Sequence, residues 1–359
     1  MSLFSSFRFT KVIFTIGPST LDVDVLRRLL RSGVDICRVN MAHASHDWTY
    51  KAIKAIRTAS VAEGKEVSIL MDIKGPEIRT GYLDGYIQLE KDQQIDLTQS
   101  DEASPEAGIP AVDINYPSLI DEAKIGDVLL VDSGLMRFQV EEVLIDRLRC
   151  RVIIPGKMGS RRHINIPGKK INLPAMTEKD IADTKIGISA NVDFFALSFV
   201  REAADINQLK KFLLDNNSAA QVVAKVEDQS GIKNLKEILD VSDALMVARG
   251  DLGIEVPYEE LPIIQKQAVS DALISGKPVI MATHLLESMI ESPMPTRAEI
   301  TDVSNSVFER VDCVMLSGET SVGKYPVECV DVLNKVTQNV EQYAGGSGFN
   351  ESLPLSTTR

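Results

Sequence analysis

QVVAKVEDQSGIKNLKEILDVSDALMVARGD (221–251) holds one full turn of the pattern that decides the fold. It opens on the apolar run VVAKVE (222–227), passes through apolar residues at helical spacing, Ile232, Leu235, Ile238 and Leu239, and closes on a second run, ALMVARGD (244–251). Each run is too continuous to alternate, which is how a strand buried on both faces of a parallel sheet reads, and the stripe between them suits a helix laid over that sheet. Working outward, the same run recurs as FFALSFV (194–200), SILMDIKG (68–75), ICRVNMA (36–42) and KVIFTIGP (11–18) on one side, and as PVIMAT (278–283) and CVMLSGET (313–320) on the other. A second stripe, Ile206, Leu209, Phe212 and Leu213, follows the 194–200 run. Eight such units predict an α/β protein, an eight-stranded (β/α) TIM barrel. In that architecture the functional residues sit at the carboxyl ends of the strands, so Asn40, Asp72, Lys74, Lys225, Glu227, Asp251, Thr283 and Glu319 are expected to share one mouth.

The rhythm stops after Gly75-Pro76 and resumes near Thr177. Between them lie short alternating runs, YIQLE (86–90), VLLVD (128–132), MRFQVEEV (136–143), LRCRVII (148–154) and KINLP (170–174), punctuated by Gly and Pro, which is all-β texture. The expected organisation is therefore barrel over 1–76, an inserted all-β lid domain over 77–175, barrel again over 176–345 with a final helix from Val327 to Tyr343, and a flexible tail over 346–359. An insertion at the carboxyl end of the third strand hangs over the mouth, where it can close on a substrate and exclude water.

With 359 residues the chain exceeds the roughly 250 that a bare barrel needs, which leaves room for that insertion. A net charge of −12 without a basic stripe argues against nucleic acid or a membrane surface as partner. No apolar stretch has the length of a membrane span, and Met1 to Phe9 lacks the apolar core of a signal peptide. Cys37, Cys150, Cys313 and Cys329 form no C-x-x-C pair, which fits a reducing cytoplasm.

Lys225 and Glu227 are two apart on one strand and so face the same side, while Asp251 ends the next strand. Two carboxylates on adjacent strand ends can grip one Mg²⁺ or Mn²⁺ and leave positions for substrate oxygens and water. The competing reading is an ion-pair network in which Lys225 neutralises either acid. On the opposite side of the mouth Arg38, Lys74 and Arg79 form a basic cluster suited to a phosphate or polyphosphate. Gly250 and Gly318 add small residues and backbone N–H groups where a carboxylate can approach.

With these residues placed, the chain resembles the pyruvate kinase family over almost its whole length. The resemblance rests on FTIGPST (14–20), DIKGPEIRTG (72–81), MVARGDLGIEVP (246–257), KPVIMATHLLESMI (277–290), PTRAEITDV (295–303) and VMLSGETSVGKYP (314–326). It implies a barrel with a mobile β domain after the third strand, and transfer of a phosphoryl group from phosphoenolpyruvate to ADP, giving pyruvate and ATP in the last step of glycolysis. It further implies that Glu227 and Asp251 ligate the divalent ion, with Lys225 facing the transferring group and the enolate. Arg38 and Arg79 would be phosphate-side arginines. Asn40, Asp72 and the carbonyl of Ile73 would hold K⁺. Ala248, Arg249, Gly250, Asp251 and Thr283 would bind substrate, and Thr283, Ser317 and Glu319 would serve the proton relay to carbon. Pro18, His43 and Trp48, with Arg38, Asn40, Arg79 and Arg162, would contact the nucleotide. Self-association through the barrel is a further implied possibility.

The chain departs from that family at four places. Ala42 stands where a serine hydroxyl is usual at the monovalent-cation site, although Glu77, the residue that accompanies K⁺ dependence in similar enzymes, is kept. Asp132 is a single aspartate in Val131-Asp132-Ser133-Gly134 where many members carry two. Asp228 follows Glu227 in place of an uncharged residue, and His284 follows Thr283 in place of glutamine. Members usually continue into another α/β domain bearing an effector site, which implies simple kinetics for a chain ending at Arg359. Two other functions share features with this sequence: a metal-dependent pyruvate aldolase, which has no use for the insertion or the basic cluster, and a catalytically silent phosphoenolpyruvate or nucleotide sensor.

Overall fold

The computed structural model describes residues 8–100, 106, 108–169 and 171–345. Eight parallel strands close into a barrel: β1 (Lys11–Thr15), β2 (Ile36–Asn40), β3 (Ser68–Ile73), β4 (Phe194–Leu197), β5 (Gln221–Val226), β6 (Ala244–Ala248), β7 (Val279–Ala282) and β8 (Cys313–Met315). Their order around the barrel follows the chain, and β8 pairs with β1 to close it. All eight arise from the runs read in the sequence.

Alternation within each strand sorts the side chains into two sets. Ile13, Leu70, Ala196, Val223, Met246, Ile280 and Met315 pack together as one cluster inside the barrel, with the partly buried Ile36 against it. Val12, Phe14, Cys37, Val39, Ile69, Met71 and Phe195 belong to the larger cluster between the barrel and its helices. Because successive side chains alternate faces, the residue two beyond each interior one also points inward. That rule stacks Thr15, Arg38, Asp72, Ser198 and Lys225 as a polar layer directly above an apolar floor.

The helical stripes cover the outside as their spacing predicts, with one difference. Ile206, Leu209 and Leu213 are buried on the helix Ala203–Asp215. The 232–239 stripe instead spans two short helices, Gln229–Lys233 and Leu235–Val241. Asn234 breaks the stripe between them and donates its side-chain N–H to the carbonyl of Arg201 at 2.8 Å. The last helix runs Pro326–Gly345, and the expected tail at 346–359 lies outside the described residues. Cys37, Cys150, Cys313 and Cys329 are free and buried. Among the described residues no helix is long and apolar enough to cross a membrane.

After β3 the chain enters a seven-stranded sheet in the order 78–79, 163–165, 128–131, 136–143, 147–154, 94–98, 111–113, with a two-stranded sheet pairing 87–89 with 156–158. Its apolar residues, from Ile78 to Ile166, form a cluster separate from both barrel clusters. Of the expected KINLP strand, Lys170 lies outside the described residues and the rest is not a strand. Residues 171–174 carry no strand, because the carbonyls of Ile171 and Leu173 accept from the Arg201 guanidinium, at 2.9 and 2.6 Å, where a ladder partner would otherwise sit.

The outgoing connection is pinned at Gly75, whose φ of 70° is left-handed and whose N–H donates to Asp180 Oδ1 at 3.0 Å. A Cβ there would stand 2.9 Å from the carbonyl oxygen of Ser198. Gly75→Ala therefore combines a disfavoured backbone with a clash against backbone and should destabilise the protein by about 2–3 kcal/mol, read as a lowered urea midpoint at unchanged slope.

Candidate functional site

The polar layer is one connected network. Lys225 Nζ lies 3.0 Å from Asp72 Oδ1, 3.1 Å from Glu227 Oε1 and 2.5 Å from Ser198 Oγ. Arg38 meets the other oxygen of Asp72 through Nε and a terminal nitrogen, at 2.8 and 2.7 Å, and donates to Thr15 Oγ1 at 3.1 Å. Ser198 Oγ also donates to the Ile73 carbonyl at 2.8 Å. Arg38 is thus joined to Lys225 through a shared carboxylate, not set across the mouth from it as the sequence reading had it. All four ionic groups are buried.

The charge states follow from these contacts. Burial opposes the Lys225 ammonium, but the carboxylates of Asp72 and Glu227 outweigh it and hold its pKa above the ordinary lysine value. Burial likewise works against charge on Asp72, and the two cations on it prevail and hold its pKa low. Glu227 goes the other way. Burial pushes it up to about 7; Lys225 resists, while Asp251 and Asp72 add to the rise. A carboxyl group crowded by negative neighbours is relieved by a cation, so the donor set fits a hard divalent ion. Among the described residues no group of three or more His, Cys, Asp or Glu converges as a metal cage. Glu227 and Asp251 would therefore hold such an ion with most positions left to other oxygens.

The candidate K⁺ ligands are oxygens of the right kind, but they are engaged. Asp72 serves two cations, the Ile73 carbonyl accepts from Ser198, and Asn40 Oδ1 accepts the Ala42 N–H at 3.1 Å. Spare lone pairs remain on each. The two cations already on Asp72 disfavour a third beside them.

Around the mouth, Arg249 is committed to structure: its guanidinium binds Asp302 at 2.6 Å and the Thr283 carbonyl at 2.6 Å. The Gly250 N–H donates to Thr283 Oγ1 at 2.8 Å, and that hydroxyl donates to the Ala282 carbonyl at 2.6 Å. Thr283 and His284 hold left-handed φ values of 68° and 54°, a strained turn for a β-branched residue. Glu319 is fully buried, with one oxygen accepting the Leu286 N–H and the other the Ser317 N–H, at 3.1 and 2.7 Å. Asp251 lies on the short helix Arg249–Glu255 that follows β6.

On the inserted sheet, Glu77 binds Lys74 at 2.6 Å and Arg79 at 2.8 Å. Burial opposes its charge, yet Arg79 and Lys74 bring its pKa down to about 2. Arg162 pairs with Asp132 at 3.2 Å, and its Nε is buried without a partner. Pro18, Asn40, His43 and Trp48 line one pocket of about 420 Å³ beside β1 and β2, within the range of small-molecule sites. Sequence reasoning missed Ser198, Thr15 and Phe199. The last, at a left-handed φ of 55°, aims its N–H at Glu227 Oε2, 2.8 Å away. Ser198 and Thr15 were signalled by being polar residues within their apolar runs, two beyond the inward-facing Ala196 and Ile13.

Fold and site together define a (β/α)₈ barrel with an inserted β unit and a buried cationic network under its mouth. Comparison with known proteins narrows the class. The family model "Pyruvate kinase, barrel domain" matches residues 7–330. A pyruvate kinase of Dictyostelium discoideum is 42% identical over 99% of this chain and 71% of its own length, and one of Geobacillus stearothermophilus is 42% identical over 93% of this chain and 57% of its own length. The crystal structure of a pyruvate kinase from Cryptosporidium parvum superposes with a TM-score of 0.89 at 38% identity, covering 93% of this chain and 70% of that one. The chain belongs to the pyruvate kinase family. It spans little more than half the length of the bacterial relatives it matches.

The Ser198 hydroxyl is the third acceptor of a buried ammonium, so Ser198→Ala should cost about 1–3 kcal/mol of stability, as for a hydrogen bond to a charged group. Equilibrium denaturation measures it; a change within the error of the midpoint would remove Ser198 from the network.

Proposed function

We propose that this chain carries the phosphoryl-transfer site of a pyruvate kinase, moving the phosphoryl group of phosphoenolpyruvate to ADP in glycolysis. The observation that carries the reading is the buried Lys225–Asp72–Arg38 network with Glu227 beside it: two fixed cations beside a carboxyl that favours a metal ion. The phosphorus–oxygen bond of phosphoenolpyruvate breaks, a bond to the terminal phosphate oxygen of ADP forms, and the enolate left behind takes a proton at carbon. Such transfer depends on positioning and charge neutralisation more than on covalent help. Lys225 and Arg38 supply preorganised positive charge that does not have to reorganise when the phosphoryl group moves. A divalent ion held by Glu227 and Asp251 would lower the energy of the enolate oxygen as it departs.

Gly250, with Ala248 and the strained Thr283 turn, offers little bulk where the substrate carboxylate would approach, its own N–H being held by Thr283 Oγ1. Arg249 contributes by bracing that turn through Asp302. Thr283 and Ser317 are the hydroxyls for the carbon-protonation relay, and Glu319 supports them by holding the Ser317 and Leu286 backbones. The adenosine would enter the pocket of Pro18, Asn40, His43 and Trp48, with Trp48 as a stacking face, and Arg79 and Arg162 would reach its phosphates from the lid. Asn40, Asp72 and the Ile73 carbonyl would take K⁺ only together with an anionic substrate, for the charge reason given above. A coupled assay of pyruvate formed from phosphoenolpyruvate and ADP tests the whole reading; binding of either substrate without turnover favours a sensor.

Replacing Lys225 by Met should raise the transfer barrier by about 3–4 kcal/mol, the effect of deleting one preorganised electrostatic donor. Retention of activity within tenfold of the parent would contradict the role. Restoring a hydroxyl by Ala42→Ser adds one oxygen ligand and should lower the KCl concentration for half-activation about tenfold, measured at constant ionic strength. Equal half-activation in both proteins would exclude Ala42's position from the cation site.

A further inference from the structure

The lid and the barrel meet at a buried pair that the transfer reaction does not use. Asn165 ends the strand His163–Asn165, and its Nδ2 donates to Glu255 Oε1 at 2.7 Å across 90 residues of sequence. Asn165 is 7% exposed and Glu255 8%, and Asn165 Oδ1 is buried with no hydrogen-bond partner. Among the described residues Asn165 is the only hydrogen-bond partner of the Glu255 side chain. An ionised carboxylate has no proton to give that orphaned oxygen. A carboxylic acid has one: acid and primary amide form a closed ring of two hydrogen bonds, N–H to carboxyl oxygen and O–H to amide oxygen, which satisfies every group.

We infer that Glu255 is a protonated latch, whose carboxylic acid pairs with the Asn165 amide to hold the lid strand on the helix that carries Asp251. The placement gives the latch leverage. His163 pairs with Arg79 and Ile164 with Ile78, so pinning Asn165 fixes the strand that carries Arg79 over the mouth. Glu255 ends the helix Arg249–Glu255 on the barrel side. Glu255 is a positioning residue and touches no reacting atom.

The surroundings favour the acid form. Burial is the main cause that pushes Glu255 up to about 7; the Asn165 bond resists, and Asp228 and Asp251 add to the rise. A cavity of about 70 Å³ at the pair is also lined by His163, Glu77, Lys169 and Arg201. Glu77 binds Lys74 and Arg79, and Arg201 binds the Ile171 and Leu173 carbonyls and lies 4.0 Å from the Asp205 carboxylate. Lys169 is paired with Asp127. Among the described residues none of these cations is bonded to the Glu255 carboxyl, whose partner is Asn165.

The sign follows from linkage. A carboxyl whose pKa is raised in the latched state and ordinary when open takes up a proton on closing. The latch is at full strength below the ordinary glutamate value near 4.5, weakens as pH rises toward about 7, and levels off above it. Between pH 6 and pH 8 the closing equilibrium should fall about tenfold.

Spin labels test this in the whole chain without substrate, so its failure is separable from failure of the catalytic reading, on which it rests only for what closure means to turnover. Ile145 on the lid and Leu214 on the barrel are exposed, and all four native cysteines are buried, so Ile145→Cys with Leu214→Cys gives two unique sites. Electron–electron resonance distances should show the closed population losing about tenfold against the open one from pH 6 to pH 8. Glu255→Gln, whose amide offers both a donor and an acceptor at any pH, should remain closed throughout. Asn165→Leu should be open at both pH values, and it serves as the test from the lid side if Glu255→Gln folds poorly. A pH-invariant distance in the parent, or the parent's pH response persisting in either variant, would overturn the inference.

Discussion

An ammonium and a guanidinium share one carboxylate inside the barrel, and the arrangement of the mouth follows from that sharing. Below Lys225, Asp72 and Arg38 the barrel interior is aliphatic, so each charge has to find its counter-charge within its own layer. Five successive strands supply the layer: Thr15 from β1, Arg38 from β2, Asp72 from β3, Ser198 from β4 and Lys225 from β5. A layer of this kind is generally no more stable than well-packed apolar side chains of the same volume. On the proposed function, its value would lie in holding positive charge still, with its hydration already removed, where the anionic substrate would bind.

Two carboxyl groups at the same mouth are driven in opposite directions by their neighbours. Glu77, gripped by Lys74 and Arg79, is brought down to about 2, whereas Glu227, deeper and next to Asp251 and Asp72, rises to about 7. The pair assigns the roles. Glu77 is already satisfied by the basic residues, whereas Glu227, ion-paired among the described residues with Lys225 alone, is the group that the proposed divalent ion would relieve.

Most of the barrel could be read from the sequence because burial on both faces leaves an unbroken apolar run, and because period two places Lys225 and Glu227 on one side. The insertion was visible as a change of texture. What stayed hidden depends on which strands become neighbours in space. Nothing local to Arg38 announces Asp72, which comes 34 residues later and pairs with it only once β2 and β3 are in register. The roles of Glu319 and Arg249 were hidden similarly: as letters they look like reactive groups, and their oxygens and nitrogens turn out to be bound to backbone and to Asp302. KINLP failed for a different reason, since Arg201 satisfies carbonyls that a strand would have offered to a neighbour.

The manner in which the inserted sheets are attached explains how such a site can be both enclosed and accessible. Their apolar cluster is separate from the two barrel clusters, so apolar burial does little to fuse the two units. Among the described residues the hydrogen bonds across the joint include Arg201 to the Ile171 and Leu173 carbonyls and Asn165 to Glu255, beside an edge-on ring contact of His163 with Phe199 at 5.9 Å. Joints made of directional bonds can be broken and remade without exposing a core, and relative motion is the ordinary behaviour of units joined in this way. Of these hydrogen bonds, Asn165–Glu255 joins two side chains and leaves a buried acceptor unmet, so protonation can act on it while the Arg201 bonds stay unchanged. On the inferred latch, the same separation of cores that frees the lid to move gives this pair of side chains leverage over its position.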